Sequence, residues 1–70
     1  MKILTVKDFG AALRARRKAL GYTQTDVAEN SGFSVSFISD LERGKETAEL
    51  GKALLLMKLL GMDMDIKERG

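Results

Sequence analysis

Periodicity and punctuation in the 70-residue sequence predict an all-α domain: four short helices, then one C-terminal β-strand. Three observations carry the prediction. Apolar residues recur at spacings of three and four through most of the chain. Gly21, Gly32, Gly44 and Gly61 each follow one of these periodic runs, where a helix-stopping glycine belongs. From Met62 to Lys67 the period drops to two, which is the pattern of a strand. A chain of this length forms a single domain spanning residues 1–70.

Residues 1–4 (MKIL) are apolar enough for a short strand or a packed tail. Thr5 caps the first helix, with Asp8 at its third position. Val6, Phe9, Leu13 and Leu20 form its apolar stripe, and Gly21 ends it. Arg17 falls on that stripe. An unpaired ion there costs several kcal/mol, so Arg17 requires a partner. The second helix, Thr23 to Asn30, opens on a Thr cap with Asp26 near its N-terminus, and turns Val27 and Ala28 inward. Ser31-Gly32 interrupts it. The third opens on Ser34 and runs to Arg43, with Ile38 and Leu41 inward and Glu42 on the same flank. Glu42 is thus the expected partner of Arg17, an ion pair locking the first helix to the third. Two helices joined by a short Gly-containing turn make a helix-turn-helix unit over residues 23–44.

After the Gly44-Lys45-Glu46 loop, Thr47 is expected to cap a fourth helix ending near Leu60. Leu50, Ala53, Leu54, Met57 and Leu60 form its core stripe. Leu55 and Leu59 lie i, i+4 on a different face, and surplus apolar surface on a small domain points to an interface. In the tail Met62, Met64 and Ile66 alternate with Asp63, Asp65 and Lys67. A lone strand has an open edge that recruits another strand. The expected partner is the same strand of a second subunit about a two-fold axis, with residues 2–4 of the same chain as the alternative. Residues 47–67 therefore read as a dimerisation helix and strand. A domain this small is marginal alone, and oligomerisation is one remedy.

Composition narrows the function. The chain has no Cys, His, Pro or Trp, so neither a disulfide framework nor a structural zinc site is expected, and no metal or cofactor is implied. No serine has an adjacent base, no glycine loop cradles a phosphate, and no carboxylate pair shares an apolar setting, so an enzyme is not expected. No apolar run nears the ~18 residues of a membrane span, which makes a cytoplasmic protein the default. The net charge of +2 hides an asymmetry: residues 1–20 carry +5 and residues 21–42 carry −4. A basic first helix beside a less basic reading helix suits a phosphate-facing surface.

The run TQTDVAENSGFSVSFISDLERGK resembles the lambda-repressor-like helix-turn-helix of the Xre family. The shared features are Thr-Gln opening the second helix, Ala28 at the turn, Gly32 in it, Ile38 within the third helix, and Leu-Glu-Arg-Gly closing it. Residues 45–66, one leucine-rich helix and a strand, look more like the short HipB-type antitoxins, whose C-terminal strands pair across the dimer. The resemblance implies a four-helix lambda-repressor-like DNA-binding domain. It also implies the positional roles. Gln24 would bond a phosphate and orient the third helix; Thr23 would do so through its hydroxyl or amide. Ser34, Val35, Ser36, Ser39 and Asp40 would face the major groove, with Phe37 at its edge against sugar or a thymine methyl. Arg43 and Lys45 would hold backbone phosphates. Arg17 and Glu42 match the family's internal ion pair.

The function so implied is a dimeric repressor of palindromic double-stranded DNA, specifically the antitoxin and autorepressor of a HipA-like kinase toxin. The alternatives are a free-standing Xre-family regulator, a restriction-modification controller, or an interaction module that does not bind DNA. No Arg, Gln or Asn occupies a base-reading position of the third helix. Serine hydroxyls discriminate weakly and Val35 offers a thymine-methyl contact, so phosphate contacts, dimer geometry and DNA deformability carry more of the binding.

Overall fold

The computed structural model describes residues 2–70 and contains four helices: α1 (Val6–Ala19), α2 (Gln24–Ser31), α3 (Val35–Glu42) and α4 (Leu50–Leu59). The first three begin where side-chain chemistry sets them. The Asp8 amide donates to Thr5 Oγ1 at 3.0 Å, and the Asp8 carboxylate accepts from the Leu4 amide at 3.0 Å. At α2 the box is complete: the Asp26 amide donates to Thr23 Oγ1 and the Thr23 amide donates to Asp26 Oδ2. Ser34 Oγ accepts from the Phe37 amide at α3. Each cap satisfies amides that the helix itself leaves unpaired. Gly32 closes α2 at φ 80°, the left-handed conformation that side chains with a Cβ avoid.

α4 departs from the expected start. It begins at Leu50, with Glu49 at the cap position and no side-chain capping bond, rather than after Thr47. The intervening backbone is already spent on turns: the Lys45 amide donates to the Asp40 carbonyl and the Ala48 amide to the Lys45 carbonyl.

The core draws Leu13 from α1, Val27 from α2, Ile38 and Leu41 from α3, and Ala53, Leu56 and Met57 from α4, closed by Leu60. Phe9, Ala28 and Leu54 pack on its margin. Two stripes are corrected. Of the apolar stripe of α1 only Leu13 is buried, while Val6 and Leu20 lie exposed at the helix ends. In α4 the inward row is Ala53, Leu56, Met57 and Leu60, and Leu50 is 68% exposed. The observed spacing of three, four and seven is helical, but an almost wholly apolar helix offers several such rows.

Residues 62–70 carry no regular secondary structure, and no strand occurs among the described residues. The alternative pairing of the tail with residues 2–4 of the same chain is therefore not made. A strand needs a ladder partner, which this single chain does not supply to its own tail.

α1 crosses the end of α3 at Gly10. A Cβ there would collide with the Leu41 carbonyl oxygen and lie 2.7 Å from that of Glu42. Both obstacles are backbone and cannot step aside. Gly10→Ala is expected to destabilise the domain by about 1–3 kcal/mol through overpacking. Gly51→Ala, where a Cβ meets open space, is expected to stabilise it by up to about 1 kcal/mol. Thermal melts of the two variants check this, and similar melting temperatures would refute the close-approach account.

Candidate nucleic-acid interface

The candidate surface is built on a buried polar hub. Arg17 Nε donates to Glu42 Oε2 at 2.7 Å and Arg17 Nη2 donates to Glu42 Oε1 at 3.0 Å, a two-pronged pair between α1 and α3. Arg17 is 7% exposed and Glu42 8%. Two further bonds complete the hub: Arg17 Nη1 donates to the Tyr22 carbonyl at 2.8 Å, and Gln24 Nε2 donates to Glu42 Oε1 at 3.1 Å. No buried side-chain polar atom is left without a partner among the described residues.

The charges tune one another. Burial pushes the Glu42 carboxyl up and is the largest single influence. The hydrogen bonds from Arg17 and Gln24, with the charges of Arg17 and Arg14, together outweigh it and hold the group below its ordinary value. The hydrogen bond to Glu42 raises the Arg17 guanidinium further, against the opposing effect of burial. The Thr23 amide, then its hydroxyl, lowers the exposed Asp26 carboxyl.

The hub fixes the angle between α1, α2 and α3, and so decides what α3 presents. Ser34, Val35 and Ser36 are exposed at its N-terminus, and Ser39 and Asp40 are half-buried one turn on. Phe37, expected at the groove edge, is only partly accessible. It is half-buried against the core, its ring 5.0 Å from that of Phe33 at an interplanar angle of 47°. That packing explains an aromatic residue on an otherwise polar face.

Several expected phosphate contacts already have internal partners. The Thr23 amide is committed to Asp26, and its hydroxyl also favours the Asp26 carboxylate, so a phosphate must compete with Asp26 for both. Gln24 spends one N–H on Glu42 and retains a second. Arg43 Nη2 donates to Asp40 Oδ1 at 2.6 Å and Nη1 to Ser39 Oγ at 3.0 Å, while Lys45 Nζ stands 3.5 Å from Asp40 Oδ2. Asp40 therefore neutralises the two cations beside it. Exposed pairs of this kind are worth at most about 1 kcal/mol, so a phosphate competes for both cations easily.

One tie is not foreseen from the sequence. Arg16 Nε donates to the Leu60 carbonyl at 2.9 Å, fastening α1 to the end of α4. Within a run of basic residues Arg16 has no distinguishing mark. Of the residues expected at an interface between subunits, Leu55, Leu59, Met64 and Ile66 are exposed and Met62 is half-buried.

A core of four helices, with a capped α2 and α3 joined through Gly32 and a free polar face on α3, defines a helix-turn-helix domain. The chain belongs to the Xre-like helix-turn-helix family: the family model HTH_3, described as "Helix-turn-helix", matches residues 13–67. It is 41% identical over 69 residues to a protein described as an uncharacterized HTH-type transcriptional regulator, y4mF, of Sinorhizobium fredii (strain NBRC 101917 / NGR234). That alignment covers 99% of this chain and 91% of the relative. Among solved structures, the fold matches a "HipB-O4 20mer complex" at TM-score 0.88 and 21% identity, covering 100% of this chain and 99% of that one. A "Structure of HipA-HipB-O2-O3 complex" matches with the same score, identity and coverage. Beyond the helix-turn-helix itself, the whole chain thus has a HipB-like fold. No helix among the described residues is long and apolar enough to cross a membrane.

Proposed function

We propose that this chain is a homodimeric, sequence-specific DNA-binding repressor, and that it is the antitoxin and autorepressor paired with a HipA-like kinase toxin. The observation that carries the reading is the first turn of α3. Ser34, Val35 and Ser36 are exposed at its N-terminus, held at a fixed angle by a hub that leaves them uncommitted apart from the Ser34 cap. Recognition helices read bases from this end while flanking groups clamp phosphates. Thr23, Gln24, Arg43 and Lys45 are the flanking groups, and Ser39 and Asp40 lie further along the groove face. The antitoxin assignment draws support from the match in fold to HipB, in one case from a structure that also contains HipA.

In the dimer Leu55 and Leu59 meet their counterparts, and Met62, Met64 and Ile66 face inward as the two tails pair antiparallel. This pairing would supply the ladder partner that the single chain lacks.

Duplex DNA from upstream of the chain's own gene is the test ligand. Arg43→Ala is expected to weaken binding to all sequences alike and to reduce the salt slope by about 1 for each protomer. Ser36→Ala is expected to change preference at particular base positions instead. The opposite pattern would show that the positional roles are wrong. Failure to form a complex with the product of the adjacent gene, or a neighbour without a kinase fold, would remove the antitoxin assignment and leave the repressor.

A further inference from the structure

The five basic residues of α1 divide into two sets. Arg17 is buried against Glu42, and Arg16, though exposed, is tied through its Nε to the Leu60 carbonyl. Lys7, Arg14 and Lys18 make no side-chain hydrogen bond or ion pair among the described residues. All three line one open groove between α1 and the end of α3, floored by Ala11 and Ala15 and bounded by Glu42 and Arg43. At 100° per residue, Lys7, Arg14 and Lys18 fall within an arc of about 40°, so they form one row. Glu42, the acid at the groove, is already neutralised by Arg17.

We infer that this groove is a second phosphate-binding surface, which grips the DNA backbone beside the segment clamped by Arg43 and extends the contact beyond the helix-turn-helix. The inference rests on the DNA-binding reading above and adds three residues to it. Three features favour a nucleic-acid backbone as the occupant. The row is purely cationic on its exposed side. It is about 16 Å long, enough for its three cations to meet separate phosphates of one strand. Its floor is alanine, which lets a bulky sugar-phosphate chain approach the helix. Arg43 joins the two surfaces, since it both lines the groove and stands at the end of α3. Gly44 brings the α3 terminus against Lys7: a Cβ at Gly44 would lie 2.7 Å from Lys7 Cα. The phosphate clamp and the start of the row are thus contiguous.

The test compares two charge-matched triple variants binding a mixed-sequence duplex of about 20 base pairs, two helical turns. Phosphate contacts do not depend on sequence, so no operator is needed. The first variant is Lys7→Gln, Arg14→Gln, Lys18→Gln; the control is Lys58→Gln, Lys67→Gln, Arg69→Gln. The α1 variant is expected to lower the slope of log K against log salt by about 0.9 for each phosphate that a protomer no longer neutralises, with the fold retained. The control is expected to keep the wild-type slope. Equal slopes in both variants, whether unchanged or equally reduced, would overturn the inference while leaving the repressor reading intact. A wild-type protein that shows no salt-dependent binding would overturn both.

Discussion

Arg17→Met is expected to destabilise the domain by about 3 kcal/mol, the lower part of the range for removing one partner of a buried ion pair. Solvent barely touches Arg17 or Glu42, yet in so small a domain little protein lies beyond them, which moderates the cost of the charge left behind. A loss of this size shifts the melting temperature by more than about 10 °C in a chain this short. Adding Glu42→Leu is expected to restore part of the loss, because a well-packed apolar pair can replace a buried ionic one. Restoration stays incomplete: the Tyr22 carbonyl has lost its donor and Gln24 its acceptor. The pair also carries a pH signature. The folded Glu42 pKa is depressed, so its stabilisation is fully present above the ordinary carboxylate value and is lost as pH falls through the folded one. Acid melts of wild type should therefore lose stability below about pH 4, and Glu42→Gln should flatten part of that fall, Asp26 supplying the rest. A single variant melting within about 2 °C of wild type would show that the hub does not hold the fold.

What was legible in the sequence follows the range of the forces involved. The starts of α1, α2 and α3 were readable because capping is local: Thr5, Thr23 and Ser34 act on amides three residues away. The Arg17–Glu42 contact, 25 positions apart, was readable for another reason. A charge on an apolar stripe must be compensated, and few acids face the same side. The start of α4 was not readable, because Thr47 competes with a turn whose bonds run back to Asp40 and Lys45. Nor was its inward row, since LGKALLLMKLL is apolar almost all round and Leu56 is distinguished only by what packs on it. Gly10 was not legible either: Gly51 is equally isolated inside a helical pattern, yet a Cβ meets backbone at the first and open space at the second.

The surface divides into working parts along the same lines. Arg16 and Arg17 look identical to Arg14 in sequence, yet each of them is tied by a side-chain hydrogen bond and Arg14 makes none. The +5 of residues 1–20 is therefore partly structural, and three of its cations, Lys7, Arg14 and Lys18, share one groove. On α3 the division is similar. Phe37 belongs to the core margin, whereas Ser36 beside it is exposed. In the proposed complex, with hydroxyls rather than amides or guanidinium groups at the reading end, each base contact would discriminate weakly. Affinity in that complex would then come from phosphate contacts and from the proposed dimer engaging two half-sites at once.

That demand makes Leu55 and Leu59 the most consequential exposed residues. They are 49% and 55% exposed in the single chain, so Leu55→Glu with Leu59→Glu should leave each protomer's core intact. In the proposed dimer the four added carboxylates would be brought together, desolvated and mutually repelled. The expected result is a halved mass by analytical ultracentrifugation at micromolar concentration. Binding to the palindromic duplex is expected to weaken by about 100-fold or more, because the second half-site loses its high effective concentration. Binding to a single half-site should change little, which separates lost dimerisation from a damaged reading surface. A variant that stays dimeric places the interface elsewhere, and a wild-type chain that is monomeric under these conditions removes the two-fold geometry on which the weak base contacts depend.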